Sequence, residues 1–150
     1  ISILGSAKEL VFGDTKEGSF AVRLAAGLVA DQGGQLINSE GHRGKDAWGK
    51  KSRWVLAQGN LKGNPAALVI AGHQNNPRHP TTWHARTYGL VAANPFGLHD
   101  FQKQPKGSGE MAIPLGESLR LRYRVLVFAK HPSTEEIETL LKGFSSAPKP

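Results

Sequence analysis

The chain of 150 residues contains no cysteine. This absence excludes disulfide scaffolds, zinc–thiolate sites, iron–sulfur clusters and cysteine nucleophiles, and it leaves the cellular compartment open. Long apolar runs are also missing, since the longest, such as Ala66–Ala71 and Val125–Ala129, fall far short of the ~20 residues that cross a bilayer. We therefore expect that the chain is not an integral membrane protein and that it has no membrane partner.

Acidic residues are scarce beside basic ones, with 12 Asp and Glu against 19 Lys and Arg, for a net charge of +7. The excess is spread along the chain, because residues 1–75 hold 9 basic and 6 acidic side chains and residues 76–150 hold 10 and 6. Nucleic-acid-binding proteins more often concentrate such charge in a patch or tail. The charge pattern therefore predicts no nucleic-acid partner.

Turn-forming residues are abundant, with 18 glycines and 9 prolines where average usage gives about 18 in total. This composition disfavours a helical bundle. The hydrophobic pattern has period two in three segments and predicts strands there, at Ser19–Ala25, Trp54–Gln58 and Leu119–Phe128. The run Ala66–Ala71 predicts a strand that is buried on both faces.

The last of these predicted strands is the longest. Leu119, Leu121, Tyr123, Val125 and Val127 would line one of its faces. Three arginines, Arg120, Arg122 and Arg124, would line the other face. A long strand that is polar on one face suits a curved sheet with a solvated concave side.

One helix is predicted, over about Glu135–Lys142. Ser133 and Glu136 have the spacing of a capping box, and apolar residues follow with helical period. Residues 102–110 are predicted to form a mobile loop. We thus expect an all-β fold, an antiparallel β-sandwich with one short C-terminal helix, as a single domain over residues 1–150.

The chain begins as though inside a strand, with Ile-Ser-Ile-Leu, and ends in Ala-Pro-Lys-Pro. We therefore expect it to be the C-terminal portion of a longer domain. A sandwich with missing strands has an open edge that a partner chain can cover. The sequence is therefore compatible with a homo-oligomer.

The most unusual stretch is residues 72–97, which holds three of the six histidines. Alternation along a strand puts Trp83 on one face and both His84 and Arg86 on the other. A guanidinium beside an imidazole disfavours its protonation, which leaves a neutral base near pH 7. Alternatively, these polar residues bond the backbone of a proline-rich loop.

Two further segments are candidates. Asp14 and Glu17, three residues apart across a turn, could act as acid and base, accept hydroxyl groups of a sugar, or simply close the turn. Residues 41–50 combine glycines, charges, His42 and Trp48. This combination suits the rim of a ligand site where an indole stacks on a sugar, although Trp48 could equally anchor the loop.

A metal site is a further candidate in this stretch. His73, His79 and His84 lie six and five residues apart, outside the i, i+4 spacing of helical zinc sites. They could still converge with Asp14 or Glu17. We nevertheless predict no metal and no other cofactor.

The ordered set of motifs resembles the "methane oxygenase PmoA" family. It includes Gly-Asp-Thr-Lys-Glu-Gly-Ser-Phe, Ala-Trp-Gly-Lys, Asn-Pro-Arg-His-Pro-Thr-Thr-Trp-His-Ala-Arg-Thr-Tyr-Gly and Asn-Pro-Phe-Gly, and it runs from about Leu10 to Phe144. The resemblance implies a soluble β-sandwich, common among carbohydrate-degrading bacteria and similar to mutarotase-like supersandwiches. In those folds, sugar sites use His, Arg and acidic residues on a concave sheet face.

The leading hypothesis is therefore a carbohydrate-active protein that acts on or binds a sugar at a concave sheet face. The predicted catalytic residues are His84, Arg86, Glu17 and Asp14. The predicted substrate-binding residues are His79, Trp83, Trp48, His42, Arg23 and Asn94. The alternative is a non-catalytic module that binds an acidic glycan or a protein partner through the arginines of the last strand. The sequence names neither the ligand nor the reaction.

Overall fold

A computed structural model describes residues 1–6 and 9–145. In this part of the chain the fold is mainly β, with several small antiparallel sheets and two helices. The elements are β1 (Ser2–Leu4), β2 (Leu10–Phe12), β3 (Phe20–Arg23), β4 (Gln35–Asn38), β5 (Trp54–Leu61), β6 (Asn64–Gly72), β7 (Thr82–Arg86), β8 (Leu90–Asn94), α1 (Leu98–Gln102), β9 (Met111–Ile113), β10 (Ser118–Arg120), β11 (Tyr123–Phe128) and α2 (Thr134–Ser145).

The largest sheet has the strand order β11-β6-β5-β4, and a second sheet has the order β3-β8-β7. Two ribbons, β1-β10 and β2-β9, flank them. Strands β5 and β6 form a hairpin in which Leu61 faces Asn64. Its two turn residues, Lys62 and Gly63, have φ of 51° and 83°, the left-handed conformation that a tight hairpin turn requires.

The main core lies between the four-stranded and the three-stranded sheet. Val55 and Ile70 of the first pack with Trp83 and Val91 of the second. The opposite face of the four-stranded sheet packs on α2, through the residues Trp54, Val69, Ile137, Leu141 and Phe144. Strand β6 is therefore buried on both faces, as its unbroken apolar run predicts.

The predicted C-terminal helix is confirmed, and it is longer than expected. The Ser133 hydroxyl accepts a hydrogen bond from the Glu136 N–H at 3.1 Å, which caps the first turn. On the side toward the sheet, the Glu138 carboxylate accepts bonds from the Trp54 indole N–H and from Arg53, both at 2.7 Å. These bonds fix α2 against β5.

The predicted long strand Leu119–Phe128 is wrong, because it is divided into β10 and β11, which belong to different sheets. The division falls at Arg122, whose backbone bonds the side chain of Asn76 instead of a neighbouring strand. Val125 and Val127 are 41% and 77% exposed rather than buried. They lie on an edge strand, beyond the point where Phe20 of β3 stacks on Tyr123.

The expectation of an all-β fold with one helix also needs correction. Helix α1 precedes the segment that was predicted to be a mobile loop, and the side chains of Asp14 and Arg78 hold that segment in place. The sheets have two to four strands each. The mutarotase-like supersandwich is not seen in the described residues. Neither of their two helices has the length and apolar character needed to cross a membrane.

Candidate functional site

The outer face of the three-stranded sheet carries the site. Along β7, Trp83 points into the main core and is fully buried, while its indole N–H donates to the Ser52 carbonyl at 2.9 Å. His84 and Arg86 lie on the opposite face, as strand alternation predicts. Trp83 therefore presents no surface to a ligand, contrary to its predicted substrate-binding role.

Trp48 reaches this outer face because the chain around it pairs with β7. The Gly49 N–H donates to the Trp83 carbonyl at 2.8 Å, and the Trp83 N–H donates to the Lys50 carbonyl at 3.2 Å. Gly49 has a φ of 70°, and a Cβ there would lie 3.2 Å from the Phe101 carbonyl oxygen. Glycine is thus required where the chain turns beside Trp48.

Cations and aromatic rings alternate on this face. The guanidinium carbon of Arg86 lies 5.9 Å from the ring centre of Trp48 and 5.4 Å from that of Tyr88. Arg23 of β3 lies 5.5 Å from the same Tyr88 ring. Each distance is within the range of cation–π attraction.

These residues border a cleft of about 260 Å³, which we call the Trp48 cleft; it is lined by Lys45, Trp48, Ala85, Arg86, Thr87 and Tyr88. No acidic side chain is among these lining residues. Neither Arg86 nor Lys45 forms an ion pair with a carboxylate of the described residues. The cleft therefore offers cationic donors beside aromatic faces.

His84 lies behind this cleft and is only 5% exposed. Its Nδ1 is 3.0 Å from the Lys16 carbonyl oxygen, and its ring meets Trp48 and Phe101 edge-on. Because a carbonyl only accepts, Nδ1 carries a hydrogen and donates it. His84 thus connects the loop that precedes β3 to the base of the cleft.

Asp14 does not approach the cleft as a free acid. Its carboxylate accepts bonds from the backbone N–H groups of His99 (3.1 Å), Gly107 (3.1 Å) and Gly109 (3.0 Å). Burial acts to raise the pKa of Asp14, but the bonds from Gly109, His99 and Gly107 outweigh it, so the pKa lies below its ordinary value. This geometry favours an anchoring role over the predicted acid–base role.

Arg78 completes the anchor from the other side. Its guanidinium donates to the carbonyls of Pro95, Gly109 and Glu110 at 2.7–2.8 Å. The segment that Asp14 and Arg78 hold includes α1, whose Phe101 contacts the cleft residues. Sequence reasoning gave no role to Arg78 or Phe101; the Asn-Pro-Arg-His-Pro motif drew attention to the first, and no pattern pointed to the second.

Three other predicted residues lie apart from the cleft lining. Asn94 is fully buried, and its side chain donates to the Thr15 carbonyl and accepts from the Phe96 N–H. Its environment is that of a structural residue. His42 lies on the turn after β4, with Nδ1 3.3 Å from Asn38 Oδ1. Glu17 is exposed on the loop that precedes β3.

His79 lies in a different cavity, of about 130 Å³, beside Arg53, Gln74 and Glu138. Burial, followed by the nearby His73 and Arg53, lowers the pKa of His79 below its ordinary value. Burial acts to raise the pKa of Glu138, but hydrogen bonds from Trp54 and Arg53 and the charge of Arg53 bring it below its ordinary value. The predicted site residues thus fall into separate groups.

The same geometry bears on metal ligation. Among residues 1–6 and 9–145, no group of three or more His, Cys, Asp or Glu side chains is placed to hold a metal ion. His84 borders the Trp48 cleft, whereas His79 borders the Glu138 cavity. His73, His79 and His84 therefore form no common cluster.

Comparison with known families gives one result. The sequence model of a family of unknown function, DUF6807, matches residues 3–142. The chain belongs to the DUF6807 family. The resemblance to the "methane oxygenase PmoA" family is therefore wrong, and the expectations that rested on it lose that support. The residues that line the Trp48 cleft all lie within the DUF6807 match. Searches of curated proteins and of solved structures found no match.

Proposed function

We propose that this protein binds a carbohydrate that carries an acidic group, and that the binding site is the Trp48 cleft. One observation carries the proposal: Arg86 lies within cation–π distance of both Trp48 and Tyr88, in a cleft that Lys45 also lines and that has no acidic lining residue. The paired N–H donors of a planar guanidinium match the two oxygens of a carboxylate, so that two parallel hydrogen bonds form.

The aromatic rings support a sugar as the rest of the ligand. Tyr88 is 47% exposed and Trp48 is half-buried, so both offer apolar surface next to the cations. A pyranose combines an apolar face with polar edges, which suits a cleft of aromatic faces and a few placed donors. The packing of the four-stranded sheet on the three-stranded sheet supports a sandwich as the scaffold of this face.

Binding is favoured over catalysis by the placement of the carboxylates. The Asp14 carboxylate is used by three backbone donors, and the Glu17 side chain is exposed without a hydrogen bond or ion pair to the described residues. A general acid or base must lie within hydrogen-bond reach of the reacting group. His84 alone of the predicted acid–base residues adjoins the cleft.

The test is a calorimetric titration of the protein with oligogalacturonates. A parallel titration uses the methyl esters of the same oligosaccharides. The esters keep the sugar ring and remove the charge. We expect the acids to bind at low salt, with affinity that falls as ionic strength rises. Arg86→Gln should weaken binding about tenfold or more.

Lys62→Gln is the matched control, because it removes one positive charge from the exposed β5–β6 turn. It should leave the affinity unchanged. Equal binding of acids and esters would contradict the acidic group, and no binding of any acidic oligosaccharide in a wider panel, including glucuronate and sulfated sugars, would contradict the proposed function.

A further inference from the structure

A cavity larger than the Trp48 cleft lies elsewhere, between β10 and the loop that follows β6. Its volume is about 450 Å³. We call it the Arg120 pocket and define it by Asn75, Pro77, Ser118, Leu119, Arg120 and Arg122. It shares no lining residue with the Trp48 cleft. Its volume lies within the range of small-molecule sites.

One side of its wall is held by hydrogen bonds between the Asn76 side chain and the backbone of Arg122. The Arg122 N–H donates to Asn76 Oδ1 at 2.8 Å, and Asn76 Nδ2 donates to the Arg122 carbonyl at 2.8 Å. The same carbonyl accepts the His73 N–H at 3.0 Å. Asn76 is 7% exposed. This reciprocal pair joins the loop to the arginine segment.

The opposite side of the wall is a strand pair. Within the β1–β10 ribbon, Ser118 pairs with Leu4 and Arg120 pairs with Ser2. The pocket is therefore built on paired backbone rather than on loop side chains alone. A site on strands positions its residues more precisely than a site on loops does.

The chemistry of the lining is cationic and mixed. Pro77 supplies apolar surface, whereas the Ser118 hydroxyl, the Asn75 amide and the exposed Arg120 guanidinium supply donors. None of the described residues that line the pocket is acidic, and Arg120 forms no ion pair with a carboxylate in the described part of the chain. An acid group would be attracted to Arg120, and an attached carbon skeleton would cover the apolar surface.

Two features of the sequence meet here that the Trp48 cleft does not use. The Asn-Asn-Pro segment of the unusual stretch forms one side, and the alternating arginines form the other. Arg124, the third of those arginines, is directed elsewhere, since it stacks on Phe144 and donates to the Leu140 carbonyl. The arginines therefore do not act as one surface.

We propose that the Arg120 pocket is a second binding site, specific for a small organic acid whose carboxylate or phosphate group pairs with Arg120. The site is independent of the proposed sugar cleft.

The experiment uses the ¹⁵N-labelled chain titrated with citrate, with inorganic phosphate as the compact anion and with a neutral triamide of citrate. We expect saturable shifts of the Asn75, Ser118 and Arg120 amide signals with citrate, weaker shifts with phosphate and none with the triamide. Arg120→Gln should raise the dissociation constant about tenfold. Lys62→Gln should leave it unchanged.

Strong binding of phosphate with weak binding of citrate would assign the pocket to compact phosphate groups and contradict the organic skeleton. Three results would overturn the site. They are an equal loss of citrate affinity in Arg120→Gln and Lys62→Gln, amide shifts confined to the Trp48 cleft, and shifts that do not saturate. The mapping on the parent chain decides the outcome even where Arg120→Gln affects folding. A negative result here leaves the sugar proposal intact, because the titrations with oligogalacturonates concern different residues.

Discussion

The ring of Phe101 meets the indole of Trp48 edge-on, with ring centres 5.3 Å apart and planes at 73°. This contact connects the cleft to α1 and to the segment that Asp14 and Arg78 anchor. We therefore expect the position of Trp48 to depend on hydrogen bonds made by residues that do not line the cleft. Such dependence can be tested by removing the anchor without touching any lining residue.

Asp14→Asn should loosen the segment around α1. Both carboxylate oxygens accept hydrogen bonds from backbone N–H groups. In asparagine an NH₂ group replaces one of these oxygens, so at least one backbone N–H would face a second donor and lose its acceptor. We expect a loss of about 1–3 kcal/mol in the free energy of unfolding. Hydrogen exchange of the Gly107 and Gly109 amides should become faster, measured by NMR.

The matched control for Asp14 is Glu17→Gln on the same loop. Its side chain is exposed and makes no ion pair with a described residue, so its stability should stay within about 0.5 kcal/mol of the parent. If Glu17→Gln destabilised the protein as much as Asp14→Asn, the anchoring role of Asp14 would be refuted.

Trp83 of β7 and Trp48 of the loop that precedes β5 should respond differently to truncation. Trp83→Ala removes a fully buried ring and leaves the Ser52 carbonyl without its donor, which should cost about 3–5 kcal/mol. Trp48→Ala removes a half-buried ring and should cost about 1–2 kcal/mol. Chemical denaturation measures both values, and sugar binding should be lost in the folded Trp48 variant.

His84 can be probed with two amides that imitate different ring nitrogens. The side-chain nitrogen of asparagine occupies approximately the place of Nδ1, so His84→Asn should retain the bond to the Lys16 carbonyl. His84→Gln places its nitrogen near Nε2 and should lose that bond, at a cost of about 1 kcal/mol. A lower melting temperature for Asn than for Gln would show that the bond to Lys16 is unimportant.

The pH dependence of stability should show a loss that begins near neutral pH. The pKa of His79 in the folded protein lies below its ordinary value of 6.5. As the pH falls through 6.5, the unfolded chain takes up the proton first, so the free energy of unfolding decreases. His73, Arg53 and Glu138 surround His79, and the first two oppose its charge.

Denaturation at a series of pH values, on the parent and on His79→Gln, separates this effect from acid effects. The Gln variant should have a flatter profile between about pH 7 and the folded pKa of His79. The carboxyls of Asp14 and Glu138 have lowered pKa values, so their stabilisation is present above their ordinary values of 3.8 and 4.5 and is lost below them. The parent and His79→Gln should therefore both lose stability in this acidic range.

Local patterns predicted much of the secondary structure. Period-two alternation identified β3 and β5, the strand expected around His84 is β7, and the capping residues of α2 identified its start. The strand Leu119–Phe128 was predicted as continuous because alternation records only which side chains share a face. It does not record that the Asn76 side chain, 46 residues away, interrupts the pairing at Arg122.

The sequence by itself determined the turn-rich β fold, the C-terminal helix and the separation of Trp83 from His84 and Arg86, because these depend on spacing between neighbours. Only the tertiary structure decided which side chains meet. It buried Trp83, bound the Asp14 carboxylate to three distant N–H groups and brought Trp48 within cation–π distance of Arg86. Such contacts depend on how distant segments pack, and local periodicity contains no information about that packing.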